Sequence, residues 1–276
     1  MKHIGMAAAL AAAAALCASA RPALADGGYQ SPTEDRVRIS LGAMRVSNST
    51  DLRLDPTGAP NGGTYVNAED TLGLDRSDLE VKFQAMLRVA ERHRLFIDYF
   101  SLDRTGDSVV GATPIQFHDV TLQPGDPVQS KLGLSMLGLT YGYSFWHTPT
   151  LEIAGTVGIQ DTDLSAQVKV QTQTRHVYDN EDQAGPVPAV GFDSTWVLSK
   201  RFYLDARAQY LAARIAGLDA SLGIYEFNAL YRFRPNVSFA LGYADRKAFV
   251  DKVEGTKTGR IDVGSRGPQL FVRVAF

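Results

Sequence analysis

The chain has 276 residues, 45% of them apolar, with 28 basic against 30 acidic side chains and a formal charge of −2. That balance leaves no positive excess for a nucleic-acid partner, and a single cysteine, Cys17, excludes a disulfide framework. Beyond the N-terminal segment, no stretch approaches the roughly 18 uninterrupted apolar residues that mark a membrane-spanning helix.

The N-terminus reads as an export signal. Lys2 and His3 form a short basic region, residues 4–16 are apolar and alanine-rich, and Ala23-Leu24-Ala25 is a cleavage site of the A-x-A kind. Residues 1–25 are therefore expected to be removed. Leu16 before Cys17 argues against a lipoprotein site, and the mature chain, starting at Asp26, then has no cysteine and a charge of −4. Residues 26–276 show no linker or compositional break and read as one domain.

From there the chain alternates apolar and polar residues with a period of two, ten times over. The first such strand is expected near 36–45, with Val37, Ile39, Leu41 and Ala43 on its oily side. The clearest is 79–90, where Leu79, Val81, Phe83, Ala85, Leu87 and Val89 oppose Glu80, Lys82, Gln84, Met86 and Arg88. Further strands fall near 94–103, 131–145, 151–160, 188–198, 202–213, 222–233 and 237–245, and the last ends the sequence on Leu270, Val272, Val274 and Phe276. Each is about the 9–11 residues that cross a bilayer at a tilt. Short connections (91–94, 146–150, 199–201, 234–236) alternate with long ones near 46–78, 104–130, 161–187 and 246–268, only 214–221 being brief. Tyr141, Tyr143, Phe145, Trp146, Phe202, Tyr203, Tyr231, Phe233 and Phe276 cluster near the short-turn end, as interfacial aromatic girdles do.

These features predict an all-β fold: an antiparallel up-and-down transmembrane β-barrel of ten strands, with eight as the alternative. Short turns and both termini would face the periplasm, and long loops the outside of a Gram-negative outer membrane. A soluble lipocalin-like binder is the competing all-β architecture.

The closing run Leu270-Phe271-Val272-Arg273-Val274-Ala275-Phe276 resembles the C-terminal assembly signal of bacterial outer-membrane β-barrels. Ala90–Phe100 and Tyr141-Gly142-Tyr143-Ser144-Phe145 resemble a first periplasmic hairpin and a strand end of poorly characterised proteobacterial members of that class. Many such signals carry an aromatic where this chain has Val274. The resemblance implies recognition by the barrel-assembly machinery, with Leu270, Val272, Val274 and Phe276 as the signal, and outer-membrane lipid and lipopolysaccharide as neighbours.

With oily faces outward, the opposite faces give the lumen: Glu80, Asp98, Glu152, Asp205 and Glu226 against Arg38, Lys82, Arg88, Arg207, Arg232 and Arg273. A barrel of about ten strands has little spare width, so near-balanced charges are expected to pair and close it. A narrow porin-like channel for small solutes is the alternative. No catalytic constellation emerges. His93 and His147 fall in predicted turns. His118-Asp119, and His176 with Asp179, Glu181 and Asp182, fall in predicted loops without a nucleophile motif. An omptin-like outer-membrane hydrolase is the remotest reading. Asp70, Asp75 and Asp78 match no calcium-loop pattern. Neither an enzyme nor a cofactor is expected. The anticipated role is structural or in surface interaction.

Overall fold

A period of two is satisfied by extended chain, because successive side chains of a strand leave opposite faces. In the computed structural model, residues 30–59, 61–117, 120–171, 176–215, 218–254 and 257–276 are described. The segment 1–25, with Cys17, and His118-Asp119 lie outside them. Ten long strands follow one another: β1 (Val37–Leu54), β2 (Ser77–Ala90), β3 (His93–Val109), β4 (Pro127–His147), β5 (Leu151–Gln171), β6 (His176–Val197), β7 (Phe202–Ile215), β8 (Leu218–Arg234), β9 (Val237–Glu254) and β10 (Lys257–Ala275). Each pairs antiparallel with the next, and β10 returns to β1, so the sheet closes without an edge. Ten strands, rather than eight, make the barrel.

The seam between β1 and β10 runs in register from Arg38↔Ala275 to Met44↔Gln269 and again from Ser47↔Arg266 to Leu54↔Gly259. It is tight: a methyl group at Gly42 would stand 2.2 Å from Phe271 Cβ. Phe276 finishes the closure. Its carbonyl oxygen accepts from Arg36 N (2.6 Å) and Val37 N (3.0 Å), and its N–H donates to Val37 O at 2.9 Å.

The strands run far longer than a bilayer requires, from 14 residues in β2 to 22 in β6. The 21 residues of β5 cover about 70 Å along the strand, or about 50 Å after tilting, twice an apolar band of roughly 25 Å. The long connections expected near 161–187 and 246–268 are thus mostly paired strand, as are both ends of 104–130. The sequence lost them for a physical reason. Above the membrane both faces of the sheet meet water or a polar interior, so the apolar alternation stops while the backbone ladder continues. Asp161, Thr162 and Asp163 in β5 illustrate it: the outward positions turn acidic within a strand still paired to Leu137, Met136 and Ser135. The segment between β1 and β2 does fold back irregularly, with a short helix α1 (Ala68–Thr71) whose N-cap, Asn67, accepts from Asp70 N.

The outer face is apolar where the alternation is strongest. Leu41, Val81 and Leu139 are each 58% exposed, and Val157, Ile159, Val190, Leu241 and Leu270 are similarly uncovered. A continuous uncovered apolar belt belongs in lipid. It is bounded by aromatics on both sides. Tyr141, Tyr143, Phe145, Trp146, Trp196, Phe202, Tyr231, Phe233 and Phe276 ring the short-turn end, and Tyr210, Tyr225 and Tyr243 form a second, upper group on three successive strands. On β7, Phe202 and Tyr210 stand about 20 Å apart along the barrel axis, close to the thickness of the band. Tyr203 does not join the girdle. With Phe202 exposed, parity turns its neighbour inward, where it is buried with Leu230, Ala240 and Phe271.

Candidate functional site

All eleven charges expected in the lumen lie on inward faces, and the barrel organises them into layers. At the periplasmic mouth, the turn Pro32–Glu34 enters the bore and is held by arginines. Arg88 donates to Thr33 O (2.7 Å) and Asp35 O (3.1 Å). Arg38 donates to Asp35 Oδ2 (3.2 Å) and to Pro32 O. Arg232 donates to Gln30 O at 2.5 Å. His147 Nε2 lies 3.0 Å from Thr33 O, and Ser31 Oγ donates to Pro149 O, so this turn is stitched to the β4–β5 connection as well.

Above the turn, Glu152 accepts from both terminal nitrogens of Arg88 at 2.8 Å and from Ser144 Oγ at 2.6 Å. Arg94 reaches Glu152 at 3.4 Å and Asp193 at 2.8 Å. Arg207 bridges Asp193 (3.2 Å) and Asp98 (2.7 Å), and its guanidinium lies 4.5 Å from the Phe96 ring centroid. Arg273 pairs with Asp205 and donates to Ser40 Oγ. Farther along, Lys82 meets Glu226 at 2.5 Å, and Arg246 Nη1 donates to both oxygens of Glu80 at 2.5 and 2.6 Å while stacking 4.3 Å from Phe100.

The extracellular half is closed by apolar packing. Phe100, Met136, Ala189, Leu211 and Ile224 form one inward cluster. Val66, Leu72 and Leu74 from the folded-back segment pack with Val110, Ile115, Leu122, Val128 and Leu132 in another. Between them Glu69 of α1 accepts from Arg104 (2.5 Å) and from Thr50 N (2.8 Å), both partners fully buried. The interior holds a cavity of about 30 Å³, lined by Lys82, Asp98, Arg207, Glu226 and Arg246, and another of about 20 Å³ beside Glu80 and Ser265. Each has room for a water molecule or so.

Arg94, Asp193 and Arg246 are lumen charges that the sequence reading missed. Parity places them: Arg94 shares the inward face with Phe96 and Asp98, Asp193 alternates with the outward Phe192, and Arg246 falls on the face opposite the outward Tyr243. Arg94 opens the strand read near 94–103 and also ends the connection 91–94, Arg246 falls in the connection near 246–268, and Asp193 lies within the strand near 188–198. Glu69 and Asp35 carried no periodic signal, because each comes from an irregular segment.

Of the histidine side chains that are described, His147 has Nδ1 4.0 Å from Glu91 Oε1. His93 faces outward, its Nδ1 2.6 Å from Tyr141 Oη and its ring against Tyr143. The side chains of His176, Asp179, Glu181 and Asp182 lie outside the described residues, as do His118 and Asp119. Asp70 pairs with Arg76, Asp78 Oδ1 accepts from Leu79 N, and Asp75 contributes its carbonyl to Arg104. Among the described residues, no group of three or more potential metal ligands converges.

On the rim, Asp55 is a buried carboxylate held by several hydrogen bonds. Burial pushes its pKa up, but bonds from Thr258 Oγ1 and the N–H groups of Gly63 and Asn61, with Arg53 nearby, outweigh that and hold it below its ordinary 3.8.

No protein-family model matches the chain, and no curated protein matches it in sequence. Solved structures match in fold. The outer-membrane protease OmpT of Escherichia coli superposes with a TM-score of 0.56 at 12% identity, over 90% of this chain and 99% of that one. This chain has the fold of the bacterial outer-membrane β-barrels. The translocator domain of the autotransporter NalP from Neisseria meningitidis (TM-score 0.42, 10% identity, 98% of both chains) and the attachment invasion locus protein Ail of Yersinia pestis (TM-score 0.36, 8% identity, 87% of this chain and 97% of that one) are more distant. With the lipid-facing belt and its two aromatic borders, the fold places this barrel in the outer membrane.

Proposed function

We propose that this barrel is a closed, non-enzymatic component of the outer membrane, serving a structural or surface-interaction role through the strand extension that rises above the bilayer. The observation that carries the reading is the filling of the bore by paired charges and apolar side chains. Ion pairs run from the Pro32–Glu34 turn through Arg88–Glu152, Arg207–Asp98 and Lys82–Glu226 to Glu80–Arg246, and the extracellular apolar clusters lie above them. A narrow channel needs a continuous water path, whereas the cavities of about 30 and 20 Å³ each have room for only a water molecule or so.

The final strand supports a second element of the proposal, recognition by the barrel-assembly machinery. Leu270, Val272 and Phe276 present an exposed apolar row on the strand that must find β1, and Val274 continues it. Swelling of liposomes containing the refolded protein tests the main reading. Small sugars should enter no faster than into protein-free liposomes, and rapid swelling would instead establish the solute channel.

A further inference from the structure

We propose that the unpaired upper edge of β6, residues 178–184, takes up an extended basic segment of another protein as an added strand. This rests on the surface-interaction reading above and names the docking edge and the class of partner.

Register defines the edge. From Leu151↔Trp196 to Gln171↔His176, β6 is paired with β5 without a break. Its pairing with β7 ends much lower, at Leu211↔Ala189. Beyond that pair β7 stays with β8 alone, through to Ile215↔Leu218. Among the described residues, the β5–β6 hairpin therefore rises beside a notch in the wall, and β6 from His176 to Pro188 has β5 as its one ladder partner.

The reason for the split lies in the sequence. Val197 N–H donates to Thr150 O, toward β5, and Leu198 N–H to Phe202 O, toward β7. Backbone groups along a strand serve its two neighbours alternately, so odd-numbered residues of β6 face β5 and even-numbered ones face β7. Pro186 and Pro188 are even-numbered. Each removes an N–H from the β7 side and none from the β5 side. The ladder to β7 thus stops at Ala189 while the ladder to β5 continues. Above the prolines, the same alternation turns the N–H and C=O groups of Tyr178, Asn180, Asp182 and Ala184 toward the notch. Such groups recur about every 7 Å and form a template roughly 20 Å long for another strand.

Charge selects the occupant. Residues 176–185 contain Asp179, Glu181 and Asp182, and neither lysine nor arginine. On the neighbouring β5, Asp161 and Asp163 are exposed on the outer face, opposite Pro186 and Ala184. Two copies of this edge brought together would set like charges side by side, which opposes pairing. A segment bearing lysine or arginine meets opposite charges instead, and main-chain bonds to β6 hold it in place.

Fluorescence anisotropy of a labelled peptide against the folded protein in neutral detergent tests this. The probe is a peptide of about seven residues alternating lysine and threonine. Its controls are the same peptide N-methylated at alternate amides, in both registers, and a counterpart with glutamate for lysine. The wild type should bind the plain basic peptide at least about tenfold more tightly than the glutamate peptide and than the N-methylated peptide of the blocking register. Asn180→Pro removes a central donor on the notch side while leaving every charge and the β5 ladder in place. It should weaken binding of the basic peptide about tenfold. Heat-modifiable gel mobility confirms folding, and the N-methylated peptides on the wild type decide the matter if that variant does not fold. Equal affinity for the plain peptide and both N-methylated forms, or unchanged affinity in folded Asn180→Pro, would mean charge attraction without strand addition and overturns the proposal. Equal binding of the glutamate peptide overturns the basic assignment. Wild-type dimers in light scattering that Asn180→Pro abolishes would make a second copy the occupant and likewise overturn it. Liposome swelling judges the closed lumen independently, so failure here leaves that reading untouched.

Discussion

The pair Glu80–Arg246 offers the cleanest perturbation of the filled lumen. Glu80 is 1% exposed, and both its oxygens accept from Arg246 Nη1 at 2.5 and 2.6 Å. Attraction between unit charges about 4 Å apart is worth roughly 4 kcal/mol at an effective dielectric constant near 20. Desolvating two ions consumes a similar amount, so the intact pair contributes little net stability. Removing one member is different, because the survivor remains charged in a site built for two, at a cost of about 3–5 kcal/mol. Glu80→Leu and Arg246→Leu should each lose that much, Arg246→Leu slightly more because its stacking on Phe100 goes too. The double variant should lose only about 0–2 kcal/mol, since two apolar side chains leave no orphaned charge. Equilibrium urea unfolding in lipid vesicles, followed by tryptophan fluorescence and by heat-modifiable mobility, measures all three. A double variant destabilised by the full sum of the singles would refute the reasoning, because the two residues would then be acting independently.

Three further outcomes follow from other parts of the molecule. Val81→Arg and Leu139→Arg place a charge on the lipid face and should each cost about 2–4 kcal/mol in vesicles if near the midplane; unchanged stability, or a wild type that is a soluble monomer without detergent, would contradict the belt. Deleting Phe276 removes the bonds to Arg36 and Val37 that finish the β1–β10 seam, so fractionation should show chain retained in the periplasm, and normal outer-membrane levels would count against this. Asp55 has a folded-state pKa below its ordinary 3.8, so its tie to Thr258 adds stability that is complete above pH 3.8 and fades as pH falls through the lower folded value. Protection of the 55–64 segment from an acid-tolerant protease should therefore hold at neutral pH and weaken below 3.8, whereas Asp55→Asn should be weak throughout. A wild type that loses protection on raising the pH would have the sign wrong.

How much of this was legible in the sequence depended on where lipid lies. From the lower aromatics to the upper tyrosines, one face of each strand meets hydrocarbon and the other a polar interior, so alternation marked ten strands and sorted Glu80, Lys82, Glu152, Arg207 and Arg273 inward. Outside that band both faces are polar. The upper halves of β5 and β6 then read as loop, and Arg246 was lost with the upper part of β9. The closure of the periplasmic mouth was illegible for another reason: Asp35 and the Pro32–Glu34 turn are held by Arg38, Arg88 and Arg232 from three different strands, and no local pattern encodes a meeting of distant residues.

The central claim is that the ion-pair layers and apolar clusters seal the bore. Planar-bilayer recording of the purified, refolded wild type tests it most directly. The account predicts insertion, confirmed by heat-modifiable mobility of the same sample, with no steady current across the usual voltage range. A stable open current that scales with salt concentration would contradict it and make the barrel a channel.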